Sequence, residues 1–327
     1  MESAGSNFYL KDEQGNILGL IAPSTFFAET DSGLLIDGPK NTVKINQRSI
    51  SGLEKGLSEA GSLATGTSSE LSQVLALLEH PASSRTTSYF LCATSSCSAI
   101  IEDMNAIQRA TVLVIGCGGI GSVTAMLLAG CGIKNFILVD ADIIEESNLN
   151  RQLFWTRADI GQPKGETLKK AIEARFLDTT IEVLRIETDK HAISNLQRQH
   201  AASIIVITAD NPSSLAEDAA TISQSTGVPV VSGGYNHSNC KVYLHTGKNT
   251  QVTTDSFVDT PWQRLPSSIM PSFGPLNVNM ASLLASGSIA MLAKRSFVSN
   301  EDHTIEWDAC HFPLNFQTAT YPPTING

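Results

Sequence analysis

Four glycines lie in a short stretch between a run of β-branched residues and an apolar segment. The β-branched run is Thr111–Ile115, the glycines are Gly116, Gly118, Gly119 and Gly121, and the apolar segment is Ser122–Ala129. A buried strand, a glycine turn and a helix in this order direct backbone N–H groups and a helix N-terminus at a phosphate. The stretch therefore predicts a nucleotide-binding site.

An acidic residue follows the next predicted strand. The apolar run Phe136–Val139 ends on Asp140, about 20 residues past the glycines, where a carboxylate can hold the hydroxyls of a ribose. The glycine motif is most common in dinucleotide-binding dehydrogenases. Taken alone, the motif leaves that class open.

Polar and basic residues crowd the sequence after this acid, namely Asn148, Arg151, Gln152 and Lys164. A dehydrogenase has no use for an arginine and a lysine clustered one short loop after the acid. An enzyme that binds a nucleoside triphosphate does need such residues, because a guanidinium gives forked hydrogen bonds to phosphate oxygens and an ammonium adds a point charge. We therefore expect a nucleoside triphosphate rather than a nicotinamide cofactor.

Five short motifs in a fixed order make a family resemblance specific: GCGGIG, VDAD, SNLNRQ, GQPK and TADN. Together they resemble the ThiF/MoeB superfamily, the adenylating enzymes related to ubiquitin-activating enzymes, over roughly residues 106–293. The resemblance implies an α/β fold with a Rossmann-like, doubly wound sheet. It also implies an activity, in which a carboxylate attacks the α-phosphate of ATP to give an acyl-adenylate and pyrophosphate.

The resemblance further implies a role for individual residues. Asp140 would bind the ribose, Arg151 and Lys164 the phosphates, and Asp210 a magnesium ion, which makes Arg151, Lys164 and Asp210 the expected catalytic residues. The expected nucleotide-binding set comprises Gly116, Gly118, Gly119, Gly121, Asp140, Asp142, Asn148, Arg151, Gln152, Lys164 and Arg85. Asp210 follows the predicted strand Ile204–Thr208, and an acid at the carboxyl end of a parallel strand faces the ligand crevice. A helix cap is the alternative role for Asp210.

The first 81 residues predict a separate small domain. Short strand-like runs are followed by two segments with helical spacing, the first beginning after Ser49 as N-cap. This order fits a winged-helix-like module. Adenylating enzymes of ribosomal-peptide biosynthesis carry an N-terminal domain similar to PqqD, which grips a leader peptide by adding it as a strand. A packing or dimerisation extension remains the alternative for residues 1–81.

Residues 82–105 predict a linker or crossover before the adenylation domain at 106–327, because Ala82–Ser98 is rich in serine and threonine and poor in periodicity. Ile100–Arg109 predicts the helix that leads into the first core strand. In the superfamily, this region carries an arginine that reaches into the ATP site of the partner subunit of a homodimer. Arg85 lies in the matching zone. The family pattern has two arginines three residues apart, and the second position here is Ser88. A solvated linker charge is the alternative reading of Arg85.

Composition restricts the function classes. The 327-residue chain has a net charge of −10, which argues against a nucleic-acid partner. Met1–Gly15 lacks the apolar core of a signal peptide, and Leu276–Ala293 contains asparagines and serines, which favours a buried helix over a membrane span. We expect a cytoplasmic protein without a membrane partner.

Cysteine usage bears on both metal binding and acyl transfer. The six cysteines show no CxxC pairs, so we expect no zinc site. The irregular stretch Lys248–Phe273 predicts a lid or binding loop, and it contains no cysteine, so we do not expect transfer of the acyl group to a thiol there. Cys117 is expected to be a packing residue, and Cys240 is a weak thiol candidate.

The resemblance implies an enzyme that adenylates a carboxylate, here a glutamate side chain, of a ribosomally made precursor peptide for cyclisation in antibiotic biosynthesis. This is the pantocin-type reaction of the superfamily. Microcin-type adenylation of a peptide C-terminus and activation of a sulfur-carrier protein are the alternatives. A further alternative from a different class is a non-catalytic scaffold that presents a peptide to another enzyme.

Overall fold

Short strands dominate the beginning of the chain, and strands alternate with helices from Thr111 to Asn236 in the computed structural model. The strands are β1 (Tyr9–Lys11), β2 (Ile17–Ile21), β3 (Phe26–Thr30), β4 (Gly33–Asp37), β5 (Thr42–Ile45), β6 (Leu63–Ala64), β7 (Thr111–Ile115), β8 (Asn135–Val139), β9 (Thr180–Leu184), β10 (Ile204–Ile207), β11 (Val230–Asn236), β12 (Asn239–His245), β13 (Asp302–Asp308) and β14 (Gln317–Tyr321). The helices are α1 (Ile50–Glu59), α2 (Ser68–Glu79), α3 (Ser84–Ala93), α4 (Cys97–Arg109), α5 (Gly121–Gly130), α6 (Lys164–Glu173), α7 (Lys190–His200), α8 (Ala219–Thr226) and α9 (Gly274–Leu292).

The chain divides into two compact units. The first consists of Met1–Ile107 with Ala293–Val298, and the second of Gln108–Leu292 with Ser299–Gly327. The structure describes residues 8–46, 49–212, 214–248, 271–297 and 301–321. Most of the predicted lid loop, Lys248–Phe273, therefore lies outside the described residues.

An 8-stranded mixed sheet forms the second unit, in the order β14-β13-β12-β11-β10-β7-β8-β9. The strands β11, β10, β7, β8 and β9 run parallel, and β12 to β14 add antiparallel strands at one edge. Apolar runs such as Thr111–Ile115 are buried because helices cover both sheet faces. The α/β prediction is confirmed, with a mixed rather than parallel sheet. Near the end of the chain, Gln317–Tyr321 forms strand β14, which pairs with β13.

Helices lie on the two faces of this sheet. The helices α7 and α8 cover one face, where apolar residues of α7, such as Ile193, pack against β7 and β10. On the other face, α9 packs against α5 and against β10, β11 and β12. By length and composition α9 could cross a membrane, yet 56% of its apolar window is buried inside the protein. The prediction of a buried helix at Leu276–Ala293 is confirmed.

The first unit contains two 3-stranded sheets, β1-β2-β6 and β3-β4-β5. Ile36, Leu57 and Leu63 belong to one apolar cluster that joins strands of both sheets to α1. Ser49 caps α1 as predicted, since its hydroxyl accepts a hydrogen bond of 3.1 Å from the Gly52 amide. The two-residue strand β6, which pairs with β2, was not predicted. The likeness of this unit to PqqD stays a prediction.

Residues 82–105 contain α3, which was not predicted, and most of α4, which confirms the helix predicted at Ile100–Arg109. Two helices, α3 and α4, occupy most of these residues, and the first compact unit includes them. Thr87, Phe90 and Leu91 are buried on α3, and their spacing is that of one helical face. The serines and threonines around these residues hid the pattern. Phe90 also packs edge-on against Phe297 at a ring distance of 5.3 Å.

Candidate functional site

The glycine turn between β7 and α5 is held by close packing. Gly116 has a φ angle of +89°, which favours glycine, and a Cβ there would lie 2.7 Å from the Ala209 nitrogen at the end of β10. A Cβ on Gly121 would collide with the carbonyl oxygen of Gly116. Glycine is therefore required at both positions for the turn to lie against the carboxyl end of β10.

Asp140 follows β8 and organises the backbone around the glycine turn. Its carboxylate accepts one hydrogen bond from the Cys117 amide at 2.6 Å and another from the Asp142 amide at 2.8 Å. Burial raises the pKa of Asp140 above its ordinary value, although these N–H donors and the charge of Lys164 oppose the shift. The carboxylate therefore lies at the mouth of the glycine turn, where the sequence predicts a ribose.

Lys164 begins α6 and forms an ion pair with Asp142. Its ammonium lies 2.7 Å from the Asp142 carboxylate, and its amide donates to the Asp142 carbonyl at 3.0 Å. The Lys164 side chain is only 10% exposed, whereas that of Asp142 is 69% exposed. Asp142, predicted to bind nucleotide, thus also fixes the position of the lysine predicted to bind phosphate.

Asn148 and Gln152 are buried and support the loop between β8 and α6. The Asn148 side-chain oxygen accepts from the Glu145 amide at 3.1 Å, and its carbonyl accepts from the Gln152 amide at 3.0 Å. The Gln152 side chain accepts from the indole N–H of Trp155 at 2.7 Å. These bonds give both residues a structural role whatever they contribute to nucleotide binding.

Arg151 lies between these two residues and against the glycine turn. Its guanidinium donates to the Ser147 carbonyl at 2.7 Å and to the Asn150 side chain at 2.9 Å. The Arg151 carbonyl oxygen is 3.3 Å from the position that a Cβ on Gly119 would occupy. The structure thus brings Arg151, Gln152 and the glycines together, as the motif order predicted.

Asp210 follows β10 and is exposed. It is adjacent in sequence to Ala209, whose nitrogen lies against Gly116. Within the described residues, no group of three or more His, Cys, Asp or Glu side chains could hold a metal ion. Magnesium at nucleotide sites takes one or two carboxylates and completes its shell with phosphates and water. A single exposed carboxylate beside the glycine turn fits that requirement. Arg85 is exposed on α3 in the first unit, and its role remains a prediction.

A polar cluster beside the glycine turn was missed from sequence. The Tyr235 hydroxyl, at the end of β11, lies 3.0 Å from the Asn277 side-chain oxygen and 3.0 Å from the Ser272 hydroxyl. Asn277 is 3% exposed, and its amide nitrogen donates to Ser272 at 3.3 Å. A Cβ on Gly119 would collide with that same nitrogen. The available signal was an asparagine in the first turn of a predominantly apolar helix.

The cysteines near the sheet are poorly suited to act as nucleophiles. Cys117 is buried inside the glycine turn, and burial raises its pKa well above the ordinary value. Burial likewise raises the pKa of Cys240 to about 11. Because the thiolate is the nucleophilic form, burial makes both thiols weaker candidates for accepting an acyl group.

Comparison with known proteins identifies the family. Residues 97–323 match the ThiF family. The chain belongs to the ThiF family. Its curated relatives include the Arabidopsis thaliana protein "Adenylyltransferase and sulfurtransferase MOCS3", which is 32% identical over 154 residues, or 46% of this chain and 32% of that protein. The match thus spans about a third of that relative's length.

Two solved structures share the fold over nearly the whole chain. A structure of E. coli MccB with AMPCPP and MccA has a TM-score of 0.72 and 20% identity, covering 94% of this chain and 97% of MccB. A structure of PaaA has a TM-score of 0.65 and 17% identity, covering 91% of this chain and 99% of PaaA. At these identities, the likeness concerns the fold.

Proposed function

We propose that this ThiF-family protein is an ATP-dependent adenylating enzyme that activates a carboxylate of a ribosomally made precursor peptide. One observation carries the nucleotide part: the Lys164–Asp142 ion pair lies beside Asp140 and the glycine turn at the carboxyl edge of the parallel strands. That edge is where open α/β sheets bind ligands. The names of the curated relatives support adenylyl transfer.

The chemistry asks little of an acid or base. The substrate carboxylate is already ionised, so the enzyme must hold it in line with the α-phosphate and stabilise charge on the phosphates. Lys164 and Arg151 supply positive charge, and Asp140 holds the ribose hydroxyls. Asp210 would hold Mg²⁺, which makes pyrophosphate a better leaving group.

The peptide substrate is supported by two observations. The folds of MccB and PaaA cover the first unit as well as the second, and one MccB structure contains the precursor peptide MccA. In addition, strand β3 lies at the edge of its sheet and exposes Phe26 and Phe27, with 70% and 66% of their surface accessible. An exposed edge strand can accept an extended peptide as a further strand, and the two aromatic rings can cover its side chains.

The carboxylate we propose is a glutamate side chain that is captured within the same peptide, as in pantocin-type cyclisation. The raised pKa values of Cys117 and Cys240 support capture by a group of the peptide rather than by these thiols. Microcin-type activation of the peptide C-terminus remains the alternative within this function. The two reactions differ in their product, since only the second leaves AMP on the peptide.

Sulfur-carrier activation is the second candidate, because the curated relatives include adenylyltransferases that are also sulfurtransferases. It uses the same adenylation step with a protein partner that ends in Gly-Gly. Adding a carrier protein with such an end to the purified protein and ATP would give the carrier acyl-adenylate and pyrophosphate if this candidate were correct. The same mixture should remain unchanged if the substrate is a peptide of the proposed type.

The test is to incubate the protein with ATP, magnesium and the small peptides encoded beside its gene. Mass spectrometry would follow each peptide, and a coupled assay would follow pyrophosphate in the same tube. We expect loss of water or carbon dioxide from one peptide together with pyrophosphate release. A stable AMP adduct would replace pantocin-type chemistry by microcin-type chemistry. Failure of the protein to bind ATP in calorimetry would reject adenylation and favour a scaffold.

The proposal includes a homodimer in which Arg85 acts on the partner's nucleotide. Mixing subunits tests this directly, since Arg85→Ala and Lys164→Ala proteins would each be impaired alone. If Arg85 acts in trans, a mixed dimer regains one intact site and therefore recovers activity. No recovery, in a mixture that sedimentation shows to be dimeric, would contradict the trans role.

A further inference from the structure

We infer that Asn277 is a nucleotide-contacting residue, whose side-chain N–H donates to a phosphate oxygen of the bound nucleotide, and that Tyr235 positions it. The inference rests on the proposed function, because it assigns a new donor to the same site. Asn277 lies in the first turn of α9, far in sequence from every nucleotide-binding motif. It reaches the site because α9 packs against α5.

The Asn277 side-chain amide lies against the glycine turn. Its nitrogen lies so close to Gly119 that any side chain at Gly119 would collide with it. The neighbouring helix start is also tight, since a Cβ on Gly274 would lie 3.2 Å from the Asn150 carbonyl. Asn277 therefore lies on the glycine turn, next to the arginine that follows Asn150.

The Asn277 amide forms hydrogen bonds with two hydroxyl groups. A carboxamide has two N–H donors and one oxygen acceptor. The oxygen accepts from the Tyr235 hydroxyl at 3.0 Å, and one N–H donates to the Ser272 hydroxyl at 3.3 Å. Among the residues that the structure describes, the second N–H has no acceptor, although Asn277 is only 3% exposed.

A buried donor without an acceptor is costly, and native proteins retain one where it has a use. Backbone N–H groups of the glycine turn and the N-terminus of α5 already favour an anion at this place. A phosphate oxygen is thus the acceptor that fits the second N–H of Asn277. Tyr235 fixes the amide orientation, because its hydroxyl donates to the Asn277 oxygen and thereby turns the nitrogen toward Gly119.

The experiment measures the affinity of ATP and of adenosine for the full-length protein by isothermal titration calorimetry. Asn277→Asp keeps the shape of the side chain and its acceptor for Tyr235, but replaces the N–H donors by a negative oxygen. We expect ATP affinity to fall roughly tenfold to a hundredfold, while adenosine affinity is unchanged. Tyr235→Phe should lower ATP affinity by a smaller factor in the same direction. Asn195→Asp, an exposed asparagine on α7, adds the same charge as a control.

The outcomes separate this inference from the proposed function. If ATP and adenosine lose affinity equally in Asn277→Asp, Asn277 has only a structural role and the inference is rejected. Unchanged ATP affinity in a folded Asn277→Asp protein rejects it as well. If the unaltered protein binds adenosine but not ATP, or binds neither ligand, the proposed function itself is rejected. A matching loss in Asn277→Ala, with normal thermal unfolding, would support the donor role because no new charge is introduced.

Discussion

Two regions of this protein present different surfaces, namely the carboxyl ends of the parallel strands and the edge strand β3. At the edge where the parallel strands β7, β8 and β10 end, polar side chains are held by fixed partners, as the Asp140 carboxylate is by two backbone amides. At the edge formed by β3, aromatic side chains face solvent, with Phe26 70% and Phe27 66% exposed. The first edge is organised before any ligand arrives. The second leaves apolar surface uncovered by the residues that the structure describes.

On the proposed function, the two regions serve different steps, adenylation and peptide recognition. Adenylation depends on charges held in place, and a preorganised edge provides them without reorganisation during the reaction. Recognition of a peptide depends on surface that gains stability only when it is covered. Substitutions at the two edges should therefore alter different measured quantities.

Lys164→Ala should lower the rate of pyrophosphate release roughly 10²–10³-fold, about 3–4 kcal/mol, because a preorganised charge opposite the phosphates is lost. The matched control is Lys169→Ala on the same helix, whose ammonium pairs with Glu173 at 3.8 Å on the surface. The control should retain normal turnover. Normal turnover in Lys164→Ala would remove the assignment of this residue.

Gly121→Ala should lower the free energy of unfolding by about 1–3 kcal/mol, because the added Cβ collides with the Gly116 carbonyl. Gly234→Ala is the control, since nothing lies within 4 Å of a Cβ there, and its effect should stay within about 0.5 kcal/mol. Urea denaturation would measure both. Equal effects of the two substitutions would show that close packing does not fix the glycine turn.

Replacing Phe26 and Phe27 together by alanine should weaken binding of the modified peptide roughly tenfold or more, because aromatic surface no longer covers the peptide. Affinity for ATP and the midpoint of thermal unfolding should not change, since both rings are exposed. Phe312→Ala removes another exposed ring, at 91% accessibility, from the second unit and serves as the control. Loss of ATP affinity in the double variant would contradict the separation of the two edges.

A smaller effect is expected from Asp302, at the far end of the antiparallel strands. Burial favours its neutral form, but hydrogen bonds from His245 and Thr246 outweigh burial and lower the pKa of Asp302 below 3.8. Ionised Asp302 thus contributes stability above that ordinary pKa, and the contribution is lost as pH falls through the lowered value. The unfolding temperature of the unaltered protein should fall more steeply in acid than that of Asp302→Asn. Parallel curves for the two proteins would refute the coupling.

Elements with a uniform apolar pattern could be predicted from sequence. Thr111–Ile115 is predicted and observed with the same bounds, because five neighbouring apolar or β-branched residues have few alternatives to a buried strand. Helix α3 was missed, because serines and threonines surround the buried face formed by Phe90 and Leu91. The two residues of β6 are too few to form a pattern and depend on pairing with β2.

The candidate site divides in the same way. Asp140 could be predicted because it directly follows the strand after the glycine turn, and Lys164 because it lies in one of the ordered motifs that carry the family resemblance. The ion pair between Lys164 and Asp142 could not, since its 2.7 Å distance depends on how α6 begins beside the loop after β8. The exposure of Phe26 and Phe27 also depends on tertiary structure, because in the described part of the chain β3 pairs with β4 on one side only.

The sequence by itself determined the family resemblance, the α/β pattern and the order of the nucleotide-binding motifs, because these depend on residues that are near one another in the chain. Only the tertiary structure decided which distant residues join the site. Asn277 meets Gly119 because an apolar helix, α9, lowers its free energy by packing on α5 and the sheet. Burial of apolar surface is not directional, so a sequence pattern can predict that α9 is buried but not which of its polar residues will reach the glycine turn.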